Sequence, residues 1–244
     1  MINHIGQIPA VAALKFSSKD ALVFEGQTFS FNQINDLVER AAGGLSDLGI
    51  VQGDTVTLYA ENSWEWIVSY YAIARLGAVI NPVNTMLTPN EIEYVVKDCG
   101  AKAIIASPEK VDAIIRVKNF SDVKEIISFG ADVANGAVSF DALIDANILP
   151  PQPVEIDPAA LSTIGYTSGT TGHPKGAMQS HRAVITNGAM TSQIQMRGAN
   201  DCVVSALPCP HVYANVIMMS MMMFGSKLVL HRAFDVDLAF ADIT

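Results

Sequence analysis

From Tyr166 to Gly176 the sequence reads Tyr-Thr-Ser-Gly-Thr-Thr-Gly-His-Pro-Lys-Gly, which sets hydroxyl side chains among glycines with a single lysine near the end. Gly169, Gly172 and Gly176 allow tight turns and a close approach of backbone to ligand. Successive N–H groups in such a turn form an anion-binding nest. Thr167, Ser168, Thr170 and Thr171 add hydroxyl donors, and Lys175 adds a mobile positive charge. That is phosphate-holding chemistry. It is not a Walker A loop, in which lysine is followed at once by Ser or Thr opening a helix, because Gly176 follows Lys175 here. The alternative is an ordinary surface loop, since Gly, Ser and Thr are common loop residues. A plain linker, however, has no need of a lone lysine held between proline and glycine.

The elements around this stretch read as a strand–helix alternation. Two short strands, Ala21 to Phe24 and Gln27 to Ser30, turn at Gly26, and a short helix around Ala10 to Phe16 precedes them. Ser30 with Gln33 forms a capping box for a helix stopped by Gly49, and Asn62 with Glu65 reads as the cap of an apolar helix from Trp64 to Leu76. Thr88 with Glu91 opens a third helix, closed at Cys99-Gly100. Strands are expected at Thr55 to Tyr59, Ala78 to Ile80, Lys102 to Ala106, Glu125 to Phe129 and Leu161 to Gly165. Pro108 and Phe140 begin further helices. The order implies an α/β fold with layered, largely parallel sheets and helices on their faces.

Four prolines between Leu149 and Pro158 (Pro150, Pro151, Pro153 and Pro158) exclude a regular element there. This marks an organisational boundary: residues 1–157 as a first α/β subdomain, and 158–244 as the start of a second that carries the glycine-rich loop. After the loop, Ser180 caps a helix from Ala183 to Met196. A strand from Asp201 to Leu207, a turn at Cys209 to Tyr213, a methionine-rich helix from Ala214 to Phe224 and a strand from Lys227 to His231 follow. Asp235 opens one more helical pattern that Thr244 interrupts, so the natural polypeptide is expected to continue.

Half of the 244 residues are apolar, ample for a large core. Fifteen basic against twenty-four acidic residues give a net charge of -9, which argues against nucleic acid as a partner. A small anion responds to the local field around Lys175 rather than to the total. Cys99, Cys202 and Cys209 are odd in number and lack metal-ligand spacing, as expected of free thiols in a reducing compartment. With no secretory signal pattern and no apolar run long enough for a transmembrane segment, the cytoplasm is the expected location.

The stretch Tyr166 to Gly176 resembles the signature of the adenylate-forming superfamily, Tyr/Phe-Thr-Ser-Gly-[Ser/Thr]-Thr-Gly-x-Pro-Lys-Gly, and meets every fixed position. Asn81-Pro-Val-Asn84 with the run from Leu87 to Ile92, and Ser180-His181 after the loop, are similar to further stretches of that family. Leu207-Pro208 with His211-Val-Tyr213 resembles the Leu-Pro-x-x-His-x-x-Gly motif of its acyl-CoA synthetase branch. Peptide-synthetase adenylation domains carry a Phe-Asp-x-Ser arrangement instead, so the resemblance favours a carboxylic acid without an α-amino group.

The resemblance implies a two-step reaction: a carboxylic acid and ATP give an acyl-adenylate and pyrophosphate, and coenzyme A then displaces AMP. It implies that Thr167, Ser168, Gly169, Thr170, Thr171, Gly172 and Lys175 hold the phosphates. His211 would stand beside the acyl carboxylate as a neutral donor, the alternative being a histidine satisfied locally. His211 and Lys175 are thus the candidate catalytic residues. Mg²⁺ is implied as well, with its carboxylate ligand C-terminal to this chain, so no metal ligand is expected within it. Two departures, Cys209-Pro210 before the histidine and Ala214 where glycine is usual, bear on the size of the acid. The chain corresponds to about the first half of the resembling enzymes, a fragment not expected to complete catalysis alone. Two other readings stay open, a domain loading an amino or aryl acid onto a carrier protein and a non-catalytic nucleotide-binding module. A homodimer is compatible with all three. The methionine-rich helix has two readings, core packing and the lining of an acyl tunnel.

Overall fold

Hydroxyl side chains placed just before amphipathic runs set where the helices begin. Ser30 Oγ accepts from the Gln33 N–H while the Gln33 side chain accepts from the Ser30 N–H, and Thr88 with Glu91 repeats the arrangement. The computed structural model describes residues 2–118, 122–130, 133, 136–150, 155–167 and 173–243. A 3-10 turn, Ile5–Gln7, leads into α1 (Ile8–Phe16), β1 (Asp20–Phe24), β2 (Gln27–Ser30) and α2 (Phe31–Asp47). Then come β3 (Thr55–Tyr59), α3 (Trp64–Arg75), β4 (Val79–Pro82), α4 (Pro89–Asp98), β5 (Ala103–Ala106), α5 (Pro108–Lys118) and β6 (Glu125–Ser128). β7 (Val138–Ser139), α6 (Phe140–Asp145), β8 (Leu161–Thr167), β9 (Lys175–Ser180) and α7 (His181–Ile194) follow. The described chain closes with β10 (Cys202–Ser205), α8 (Val212–Phe224), β11 (Lys227–Leu230) and α9 (Val236–Ile243).

Among the described residues these strands form a seven-stranded sheet, ordered β7-β6-β5-β3-β4-β8-β9, and a four-stranded sheet, ordered β10-β11-β1-β2. Pairing is parallel throughout except for the hairpins β1–β2 and β8–β9. The expected α/β class with largely parallel sheets is what forms. Each sheet draws strands from both sides of residue 157: β8 and β9 extend the sheet begun by β3, and β1 and β2 complete the sheet of β10 and β11.

Helix α3 is apolar on nearly every face, and its surroundings match: Trp66, Tyr70 and Tyr71 are all fully buried. Removing a ring of that size from such a core costs about 3–5 kcal/mol. The methionines of α8 resolve in favour of core packing, since Met218, Met219, Met221 and Met222 are buried in the main cluster. Helix α7 lies close against them, because a Cβ at Gly188 would meet Met219 Cβ at 2.7 Å. No helix among the described residues is long and apolar enough to cross a membrane.

Three sequence expectations need correction. The cap of α3 is Ser63, whose Oγ accepts from the Trp66 N–H at 3.2 Å; Asn62 is buried and its side chain serves elsewhere. Helix α8 begins at Val212, two residues early, because His211 acts as its cap. The strand β9 is an addition, since its residues Lys-Gly-Ala-Met-Gln-Ser are largely exposed and show no apolar alternation.

Candidate functional site

The glycine-rich stretch is mounted on a hairpin. β8 and β9 pair antiparallel from Thr163 opposite Gln179 to Thr167 opposite Lys175, so the two ends of the loop are held side by side. Ser168, Gly169, Thr170, Thr171 and Gly172 lie outside the described residues. What is described is the frame that presents them. At Gly176 a Cβ would come within 2.8 Å of Ile164 Cγ2 and 3.2 Å of Tyr166 Cζ, so the hairpin stem closes only around glycine.

Two contacts fix the hairpin to α4. The Tyr166 hydroxyl donates to Asp98 Oδ2, and the His173 ring stacks on Tyr94 with centroids 4.8 Å apart and planes 20° from parallel. Burial, then the neighbouring Asp98 carboxylate, pushes the Tyr166 phenol well above its ordinary range, so it stays a donor. Lys175 is exposed at the start of β9, directly across the ladder from Thr167.

Beside this hairpin is a cavity of about 470 Å³ lined by Thr167, Tyr166, Tyr70, Asn187, His211 and Asn215, among others. Thr167 and His211, which the sequence places 44 residues apart (211 minus 167), therefore face one space. Lys175 does not line it. No described lining residue is Asp, Glu, Lys or Arg, so a charged ligand there is met by neutral donors.

His211 has a defined tautomer. Its Nδ1 accepts the Tyr213 backbone N–H at 3.2 Å, which leaves Nε2 to carry the ring proton as a donor. Its backbone N–H donates to the Pro208 carbonyl, which closes the preceding turn. Sequence reasoning did not find Tyr70, Asn187 or Asn215. Tyr70 sits in α3 among core aromatics, and nothing local marks it as lining a cavity. Burial pushes the Tyr70 hydroxyl up to about 12, so it remains neutral beside Asn215 and Thr163. Cys209, also at the cavity, is fully buried and its thiol is raised by desolvation alone. Among the described residues no three of His, Cys, Asp and Glu gather into a metal-binding group.

Comparison with known proteins agrees with this fold. A profile of the AMP-binding enzyme family matches residues 10–244. 4-Coumarate–CoA ligase 5 of Oryza sativa subsp. japonica is 33% identical over 216 residues, 86% of this chain and 39% of that protein. Indoleacetate–CoA ligase of Aromatoleum aromaticum is 30% identical over 98% of this chain and 45% of its own length. The chain thus spans less than half the length of these relatives. The inhibitor-bound N-terminal domain of FACL13 from Mycobacterium tuberculosis superimposes with a TM-score of 0.89 at 28% identity, over 99% of this chain and 60% of that one.

Proposed function

The chain belongs to the family of AMP-binding enzymes, and from that premise we propose that it is the N-terminal part of an AMP-forming carboxylate–CoA ligase. The observation that carries the proposal is the shared cavity: Tyr166 and Thr167, at the stem of the complete phosphate-loop signature, line the same space as His211. In the proposed reaction a carboxylate oxygen attacks the α-phosphorus of ATP. The bond from that phosphorus to the β-phosphate bridge oxygen breaks, and pyrophosphate leaves. The thiol of coenzyme A then replaces AMP on the acyl carbon.

Each residue has a physical task in that sequence. Thr167, together with Ser168, Gly169, Thr170, Thr171 and Gly172, supplies hydroxyl and backbone donors for the β- and γ-phosphates, which carry more charge as pyrophosphate departs. Lys175 follows that charge from the loop's far end. The Nε2–H of His211 donates to the carboxylate of the acid and holds it in line with the α-phosphorus. Leu207-Pro208 with His211, similar to the motif of the acyl-CoA synthetase branch, supports a carboxylic acid without an α-amino group. The three free cysteines fit a reducing cytoplasm. By itself this portion is not expected to turn over.

A panel of aryl, arylalkyl, fatty and amino acids, assayed with the full-length enzyme, tests the reading. AMP release that depends on a carboxylic acid and on coenzyme A is the expected result. Release that depends on an amino acid and a carrier protein would replace the proposal.

A further inference from the structure

Asn62 lies just before α3, is 3% exposed, and makes three hydrogen bonds to distant parts of the chain. Its Nδ2 donates to the Leu207 carbonyl at 2.9 Å and to the His231 carbonyl at 3.0 Å. Its Oδ1 accepts the Cys209 N–H at 2.7 Å. Both amide hydrogens and one oxygen lone pair are thereby used, all on backbone partners. Two of those partners belong to the turn between β10 and α8 that ends on His211. Pro208 and Pro210 flank Cys209 and have no N–H of their own, so Cys209 offers the donor in that turn through which a side chain can hold it. The third partner closes β11, the strand parallel to β10.

We propose that Asn62 is the positioning residue for His211. It holds the Leu207–Cys209 turn at one place relative to α3, and so sets where the His211 ring enters the cavity that α3 also lines through Tyr70. This rests on the functional reading above, in which His211 donates to the acid. A carboxamide is required. Aspartate would set a carboxylate against two carbonyl oxygens, and alanine would take the partner from the buried Cys209 N–H and from the Leu207 and His231 carbonyls. The hairpin that carries the phosphate loop is fixed separately, through Tyr166 and His173 to α4, so ATP handling is insulated from Asn62.

The test is a double-mutant cycle in the full-length enzyme with Asn62→Ala, His211→Ala and the pair. Asn62→Ala is expected to lower kcat for acyl-adenylate formation by about 100-fold, the scale of a reacting group misplaced by about an ångström. KM for ATP should change by less than about 3-fold. In the His211→Ala background the same change should cost less than about 3-fold in kcat, because its effect passes through a side chain already gone. Ser63→Ala, which removes the neighbouring cap of α3 without touching the turn, should lower the melting temperature and leave kcat unchanged. If Asn62→Ala does not fold, Asn62→Gln, which keeps the carboxamide but shifts it by one methylene, is read in the same cycle. Costs that multiply independently in the double mutant, or a kcat unchanged by either Asn62 variant, would overturn the proposal. An unchanged kcat in His211→Ala alone would instead refute the role given to His211, leaving the two failures distinguishable.

Discussion

His211 does two things at once, and substitution can separate them. As the cap of α8 it accepts the Tyr213 N–H, and in the proposed reaction its Nε2 donates to the acid. Asn is a good cap, so His211→Asn should keep the melting temperature within about 2 °C. His211→Ala should lose about 1 kcal/mol of stability with the cap. Both should slow adenylation by about 100-fold, which thermal melts and single-turnover assays on the same preparations would check. If Lys175 holds phosphate as proposed, Lys175→Ala removes a charge-assisted contact of about 1.5–3 kcal/mol, so KM for ATP should rise by roughly 10- to 100-fold while the KM for the acid stays put. Residues of this kind were legible in the sequence because hydroxyls, glycines and a lysine crowded into eleven positions describe their own chemistry. Asn62 was not. Its partners lie 145, 147 and 169 residues away, and read locally it resembles only a helix cap.

The hairpin β8–β9 sets Tyr166 and Thr167 on the wall of the cavity, and α4 keeps it in place through Tyr94 and Asp98. Tyr94→Ala should remove about 0.5–1.5 kcal/mol of ring stacking and speed amide hydrogen exchange along β9, with α8 unchanged. The helix that follows the hairpin begins with a buried histidine. His181 Nδ1 accepts the Ile5 N–H at 3.3 Å, and its ring meets His4 edge-on at 5.8 Å. Burial, then His4, pushes His181 down to about 4, and burial and Arg75 lower His4 as well. The folded state therefore favours neutral rings. That stability is present above the unfolded value of 6.5 and is lost as pH falls towards 4. Melting temperature should drop across that window, and His181→Gln should flatten the drop; a profile that the substitution leaves unchanged would rule out His181 as the cause. Capping boxes made the starts of α2 and α4 readable, because both partners lie within four residues. β9 had no such signal, being an exposed strand whose place comes from pairing with β8.

At the scale of the molecule, each sheet is assembled from strands on both sides of residue 157, and the main core runs between them. Strands shared in this way should unfold together, so denaturant titration is expected to give one transition by fluorescence and by circular dichroism alike. Two separated transitions would mean that the parts divided near residue 157 fold independently. The alternation of strand and helix was readable from periodicity, whereas the membership of β1 and β2 in the sheet of β10 and β11 depends on contacts across more than 170 residues. With a net charge of -9, the overall field does not attract an anion, so the proposed nucleotide binding must rest on local donors. If this loop and the His211 cavity together form acyl-adenylates, the first half-reaction can be read alone, as ATP–pyrophosphate isotope exchange by the full-length enzyme. Exchange is expected to require a carboxylic acid, to proceed without coenzyme A, and to be slowed by about 100-fold in His211→Ala and, at ATP well below KM, by roughly 10- to 100-fold in Lys175→Ala. Exchange that is absent with every acid, or indifferent to both substitutions, would refute the assignment.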